Sequence, residues 1–411
     1  MVLAHVLMGI VLTGLTLYVV LGGADFGAPL WQATSGRGPH ADEVREHAHE
    51  AMAPVWEANH VWLIFVLTVL WTAFPTALGS IASTLGVCLF LAGIGIIVRG
   101  AAYALRTASS SARQVERIDR ASAASSVLTP FCLGAAVGAI ASGRVPVGNA
   151  TGHLLTSWLG PVSLAVGVLS VATSAYLSAV FLAADAVRRG EPELVRAFRA
   201  RALGMGGAAG ALAVVGLVVL AADDSHLFHR LLAGPGLPGV VVSVLAGVAT
   251  AAAVWRGRYE TARYLSAVAV AAIVAGWAFA QNPVILPGLT IDQAAAPHDT
   301  LVAVLVAVVA GGALLFPSLV LLFRLTLGGR LGHGPAAADA AGTGGAAWLL
   351  GASSANLLAR AAGACLAAGV GLLTIADAGW AHAIGVVALL LFVVLGFGAA
   401  VPVLLPPPAD G

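Results

Sequence analysis

Lysine is absent from this chain, and all 20 of its basic residues are arginine. Charge of either sign is scarce: 9% of the 411 residues are charged and 59% are hydrophobic. A soluble domain carries about 25% charged residues. So little charge over so much apolar surface excludes an ordinary soluble core and suits a helix bundle facing lipid. The net charge of +1 offers no basic surface to nucleic acid. Cysteine is scarce too. Cys88, Cys132 and Cys365 stand singly in apolar segments, without a CxxC pair or a haem-attachment motif, and read as small helix-packing residues. The opening MVLAHVLMGIVLTGL lacks a basic n-region and a clear cleavage site, so it reads as a retained first span rather than a signal peptide.

What is present is a series of apolar runs of spanning length, about 20 residues each. They lie near 4–31, 55–77, 80–105, 124–142, 161–186, 203–221, 237–255, 263–281 and 300–324. After a Gly/Ala-rich linker over 326–352 come two more, near 353–375 and 380–404. The fold class is therefore an all-α polytopic membrane protein, with a main domain over 1–325 and an extra helix pair within 353–411. Gly and Ala recur along the runs, as close helix approach in lipid requires. Arginine sets the expected orientation. Arg37, Arg113, Arg117, Arg196, Arg256 and Arg330 fall on one side, while the loops of the other side hold Arg144 and Arg230. The positive-inside rule then places the N-terminus outside and the arginine-rich loops in the cytoplasm. The first and fifth runs share a Tyr followed by Ala-Asp near the arginine-rich end, at Asp25 and Asp185. Two four-helix halves fit that pattern.

Ionisable groups inside a membrane are costly and point to function. Asp25 lies about 9 Å before the end of the first run at Trp31, and Arg99 about 10 Å before the end of the third. Glu57 and His60 occupy the first two turns of the second. All four share one depth on three consecutive helices, which are usually neighbours. Glu57 and His60 lie on one helical face, Asn59 points about 100° away from His60 and serves a neighbouring helix, and Trp56 suits the interfacial aromatic belt. A carboxylate, an imidazole and an amide at this mouth make Asp25, Glu57 and His60 candidates for a proton path, with Arg99, Asn59 and Trp56 as structural partners. The competing reading is a static ion pair of Asp25, Glu57 and Arg99 that fixes packing. His5, His60 and His382 lie near or within spans and are able to ligate iron, yet no paired mid-membrane His pattern occurs. No metal site is expected. Between the eighth and ninth runs, WAFAQNPVILPGLTIDQAAAPHDTL carries Pro283, Pro287 and Pro297 and no arginine. It reads as an ordered outer loop or a partner contact.

Five stretches, in order over roughly residues 5–325, resemble subunit II of the cytochrome bd-type quinol oxidases. They are LYVVLGGADFG, APVWEANHVWLIFVLTVLWTAFP, IIVRGAAYALR, SSVLTPFCLGAAVGAIASGRVP and AQNPVILPGLTIDQAAAPHDTL. The resemblance implies two four-helix bundles plus a ninth helix, paired with a structurally similar subunit I that carries haems b and d, the oxygen-reducing site and the quinol-oxidising loop. Quinol and O2 are then substrates of the complex. This chain would bind no haem firmly by itself and would have no activity alone. In some members subunit II holds a structural quinone and lends acids to a proton path from the cytoplasm, and the matching positions here are Asp25 and Glu57. The expected location is the bacterial cytoplasmic membrane, with lipid and small accessory subunits as further partners. Three departures stand out: Gly22 replaces a first acid, His60 stands where an acid often follows the motif Asn59, and Ala104 replaces a Glu. The rival functions are a proton-coupled secondary transporter and a structural membrane scaffold.

Overall fold

The structure, a computed structural model, describes residues 2–36, 38–51, 53–108, 111–327, 354–375 and 379–404. In chain order the helices are α1 (Val2–Ala33), α2 (Pro39–Glu50), α3 (Ala53–Ala73), α4 (Pro75–Thr84), α5 (Gly86–Ala108), α6 (Ala112–Ala141), α7 (Pro161–Arg189) and α8 (Pro192–Asp223). They continue as α9 (Ser225–Leu232), α10 (Leu237–Trp255), α11 (Tyr259–Gln281), α12 (Ile291–Ala294), α13 (His298–Leu327), α14 (Ser354–Ile375) and α15 (Gly379–Leu404). Two short strands, β1 (Val284–Leu286) and β2 (Leu289–Thr290), pair antiparallel between α11 and α12. Among the described residues seven helices are long and apolar enough to cross a membrane, or eight if α3 and α4 form one bent span. The last three expected runs coincide with α13, α14 and α15. The expected linker over 326–352 lies almost wholly outside the described residues.

Small residues decide how closely these helices approach. At Gly27 of α1 a Cβ would sit 2.0 Å from the Ser174 carbonyl oxygen of α7, and at Gly23 it would meet the Leu177 side chain at 2.9 Å. Gly138 of α6 lies against Ser163 of α7, with 2.6 Å from its would-be Cβ to the Ser163 Cα. Gly239 of α10 and Gly276 of α11 bring two backbones together in the same way, at 2.5 Å. Lipid tails compete for apolar side chains as well as a helix does, so this close backbone packing supplies the association. Several hydroxyl side chains in the spans are satisfied locally, although Tyr18 Oη, Ser163 Oγ and Ser178 Oγ are buried without a hydrogen-bond partner among the described residues. Thr13, Thr68, Thr72 and Thr250 each donate to the carbonyl four residues earlier, which removes the cost of a bare hydroxyl in hydrocarbon.

The larger unit, Met1–Gly312, has two bundles joined through α1, α6 and α7. The first collects α1, α3, α5 and α6 around Leu7, Val69, Leu85, Cys88 and Ala139. The second collects α7, α8, α10 and α11, with Leu182, Phe198, Val254 and Ala262 fully or nearly fully buried. The first turns of α13 pack Leu301 and Val304 on the first bundle's core. In the smaller unit, α14 and α15 form a close pair, and Gly369 abuts Leu389 and the Gly385 carbonyl.

Three local features differ from the expected spans. The second run breaks at Phe74, where Pro75 starts α4 at 119° to α3. Proline supplies the fixed φ of a first helical position and cannot donate to the preceding turn. The third span therefore begins at Gly86 rather than near 80. Between the first two runs lies a helix, α2, with Pro39 at its start and Ala41, Val44 and Ala48 buried along one stripe. At α7 the chain ends the helix on Gly190, whose φ of 73 suits a residue without a Cβ.

The loop before α13 is ordered. Arg230 donates to the carbonyls of Ala280 and Asn282. Thr290 and Gln293 form a capping box, Ala296 N donates to the Ala73 carbonyl at 2.9 Å, and His5 lies 3.7 Å from Asp292. The α1–α7 contact generates a packing prediction. Gly27→Ala forces backbone apart and destabilises by about 1–3 kcal/mol. Gly9→Ala, with nothing within 4 Å of its would-be Cβ, leaves stability unchanged. Thermal unfolding of the detergent-solubilised protein distinguishes the two.

Candidate functional site

The arginine-rich end of the first bundle holds a buried charged centre. Asp25 of α1 is 0% exposed, Asn59 of α3 likewise, and Arg99 of α5 is 3% exposed. Arg99 Nη2 donates to Asp25 Oδ1 at 2.7 Å. Asn59 Nδ2 donates to Asp25 Oδ2 at 3.2 Å. Each carboxylate oxygen thus has its own donor, one of them charged, which is the arrangement that makes an ionised carboxylate tolerable away from water. Arg99 Nη1 reaches Ser122 Oγ of α6 at 3.4 Å. Arg99 Nε and Asn59 Oδ1 remain buried without a hydrogen-bond partner among the described residues.

Of the groups on the first three expected spans, the structure brings Asp25, Asn59 and Arg99 together in one hydrogen-bonded cluster. Asn59 does serve a neighbouring helix. His60, next to it, is half-buried. Glu57 and Trp56 lie on the opening turns of α3, and their side chains are outside the described residues, as is that of His382. Gly22, at the position of the missing acid, lies beside the Tyr18 ring, which its would-be Cβ would meet at 3.4 Å. Asp185, the counterpart of Asp25 in the second bundle, instead accepts a hydrogen bond from Arg188 at 2.9 Å and lies 3.0 Å from Arg189 as an ion pair, with 18% of its side chain exposed.

Several polar groups in this region carry no simple sequence signal. A narrow cleft lies between α1, α2, α5 and α6, with Gln32, His49, Arg99, Arg106, Asp119 and Ser122 in its wall. Arg106 bonds Asp119 Oδ1 and Glu46 Oε2, both at 3.2 Å. His49 stacks on Tyr103 with ring centroids 5.0 Å apart. Burial first, and Arg106 second, push the His49 imidazole down to about 4. The buried His47 on the preceding turns of α2 ties that helix to α7, 3.1 Å from the Leu182 carbonyl.

Fold and site together define a class: a polytopic helical membrane subunit of two four-helix bundles, with a buried carboxylate–guanidinium–amide centre in the first. Residues 3–326 match the family profile of cytochrome bd terminal oxidase subunit II. The chain belongs to that family and is subunit II of a cytochrome bd quinol oxidase complex, which implies a subunit I partner. One chain of the structure of bd oxidase from Geobacillus thermodenitrificans is similar at 25% identity and TM-score 0.62, over 80% of this chain and 99% of that one. No curated protein sequence matches. Membership of an oxidase family displaces the transporter reading.

Two predictions follow from the centre's geometry. Arg99→Met alone leaves the Asp25 charge buried and uncompensated, and costs about 3–5 kcal/mol, whereas Asp25→Leu with Arg99→Met costs far less. Thermal unfolding of the two variants measures the difference. For His49, the folded state binds its proton more weakly than the unfolded chain does. The stabilisation is complete above the ordinary pKa of 6.5 and is lost as pH falls toward about 4. His49→Gln flattens that decline, read from unfolding temperatures between those pH values.

Proposed function

We propose that this chain supports the haem-bearing subunit I and carries part of the path by which protons reach the oxygen-reducing site. Haems b and d are assigned to subunit I, so catalysis belongs to the complex and not to this chain alone. The N-terminus lies outside and the arginine-rich end faces the cytoplasm of a bacterium. Oxidation of quinol outside and uptake of protons from inside then build a membrane potential, about 2.3 kcal/mol per charge at 100 mV.

The observation that carries the proton role is Asp25. It is a fully buried carboxylate on a spanning helix, held by Arg99 and Asn59 near the arginine-rich end. An acid so placed is costly unless it is used. Glu57 and His60, on the helix that supplies Asn59, are further groups on the same path. Arg99 Nε and Asn59 Oδ1, each buried without a partner among the described residues, are points at which water is able to bond. A second reading has its own support. Both Asp25 oxygens already have donors, which favours a static role in packing.

Asp25→Asn separates the readings. It keeps the side-chain shape and removes the exchangeable acid. In purified complex with intact haem absorbance, quinol-driven oxygen uptake is expected to fall by about 10²-fold, the lower range for loss of a proton-transfer group. Proton uptake in proteoliposomes falls with it. Unchanged rates for both return Asp25 to the static reading, and Glu57→Gln, assayed in the same way, decides whether Glu57 shares the path.

A further inference from the structure

A separate hollow of about 490 Å³ opens at the arginine-rich end, between α2 and the α7–α8 turn. Glu43, His47 and Glu50 line it from α2, and Arg189, Glu191 and Glu193 from the end of α7 and the start of α8. Carboxylates on a wetted rim are ordinary, and several of these are paired. Arg189 bonds Glu50 at 2.7 Å and lies 3.0 Å from Asp185, and Arg196 pairs with Glu193. Among the described residues the ion-pair contact of Glu191 is with His47 alone. That contact is too long for a hydrogen bond. His47 Nδ1 is 3.5 Å from Glu191 Oε2, beyond the span of about 2.7–3.2 Å for N–H···O. The other ring nitrogen fixes what Nδ1 presents. Nε2 is 3.1 Å from the Leu182 carbonyl. A carbonyl only accepts, so Nε2 carries the ring hydrogen, and Nδ1 of the neutral imidazole is a lone pair. His47 has 2% of its side chain exposed. Its Nδ1 and Glu191 Oε2 are both buried without a hydrogen-bond partner among the described residues. Two bare acceptors side by side in a protein wall are costly unless something positive lies between them.

We propose that His47 and Glu191 are two ligands of a divalent metal ion of the zinc type, bound at the wall of this hollow. The spacing carries the assignment. Two ligands of a tetrahedral zinc ion, bonded at about 2.0–2.2 Å, stand about 3.3–3.5 Å apart. The ring is also held as a metal-binding imidazole is held, with its second nitrogen donating to a backbone carbonyl. Both ligands are pre-positioned. The His47 ring packs on Phe198 with centroids 5.6 Å apart, and Glu191 N donates to the Ala186 carbonyl at 3.0 Å in the turn that follows α7. An imidazole nitrogen with a carboxylate suits zinc and disfavours calcium and magnesium, which take oxygen ligands. Among the described residues no group of three His, Cys, Asp or Glu side chains is able to hold a metal ion, so water in the hollow fills the remaining positions. No motif announces the site, because its ligands stand on elements far apart in the chain. The ion ties α2 to the second bundle, where His47 already reaches Leu182.

The test uses the purified oxidase complex in detergent, stripped with a chelator and then equilibrated with zinc ion alone. Bound zinc is counted against haem by elemental analysis. Wild-type complex is expected to hold one zinc ion more than His47→Gln. Glu191→Gln weakens binding of that ion at least about tenfold, the lower range for loss of even an outer-shell partner. Glu193→Gln, in the same wall but paired with Arg196, keeps the wild-type count. Zinc raises the unfolding temperature of wild type and of Glu193→Gln, and leaves that of His47→Gln unchanged. Should the buried His47→Gln fail to assemble, judged by haem absorbance, Glu191→Gln carries the test, since 44% of that side chain is exposed. Equal zinc counts in wild type, His47→Gln and Glu191→Gln overturn the site. So does a wild-type unfolding temperature that rises on mild acidification and ignores zinc, because the gap then holds a proton and His47 and Glu191 form a plain ion pair.

Discussion

A carboxylate buried in a spanning helix must find its counter-charge and its hydrogen bonds within the protein, and the first bundle is arranged around that demand at Asp25. Three helices are committed by it. α1 brings the acid, α5 the guanidinium and α3 the amide, while Ser122 of α6 takes the guanidinium's other arm. Sliding any of these helices by one turn, about 5.4 Å, strands a charge or a buried amide. Replacing such a pair by well-packed apolar residues is often neutral or stabilising, so net stability does not account for its presence. What the pair supplies is register, together with an acid at a depth where apolar residues would do nothing.

The contact between α1 and α7 places the same sequence pattern in two environments. Both helices carry a Tyr and then Ala-Asp, yet Asp25 is wholly buried and Asp185 is partly exposed. Position in the helix explains the difference. α1 continues eight residues beyond Asp25, to Ala33, whereas α7 ends four residues beyond Asp185, at Arg189. Those last residues include Arg188 and Arg189, which reach back to Asp185 as i,i+3 and i,i+4 partners. The second bundle therefore pairs its acid with arginines of the same helix at the rim, with His47 of α2 3.9 Å from it. The first has to assemble three helices to do so.

Much of this was legible in the residues alone. Arg99 interrupts the apolar run IIVRGAAY, and Asp25 interrupts VVLGGADFG, so each marks itself by the cost of its burial. Counting residues to the helix ends then puts them at one depth. The break at Phe74 was hidden because apolar character continues through Pro75, and hydropathy does not register a change of direction. Its signal was the proline itself. α2 does not show as an apolar run because eight of the twelve residues of PHADEVREHAHE are charged or imidazole, although Ala41, Val44 and Ala48 have helical spacing. His49 and Asp119 gave no signal at all. A polar residue next to a span reads as solvated until the tertiary fold brings α2 against α5 and His49 onto Tyr103.

Helix α5 links the dry and the wet parts of this region. Arg99 and Arg106 are seven residues apart, two turns of helix, so they lie on one face about 10 Å apart. Each holds an aspartate from another helix: Asp25 of α1 in the one case, Asp119 of α6 in the other. The chemistry of the two pairs is the same and their solvation is not. Arg99 and Asp25 are almost wholly enclosed, while the second pair extends to the exposed Glu46. At the inner pair the local dielectric is low, so separating the two charges is expensive. At the outer pair solvent screens the charges and the contacts contribute little. Two matched pairs on one stripe, differing in water access, therefore do different work: the inner one fixes the register of α1 against α5, and the outer one adds only a weak tie from α5 to α2 and α6.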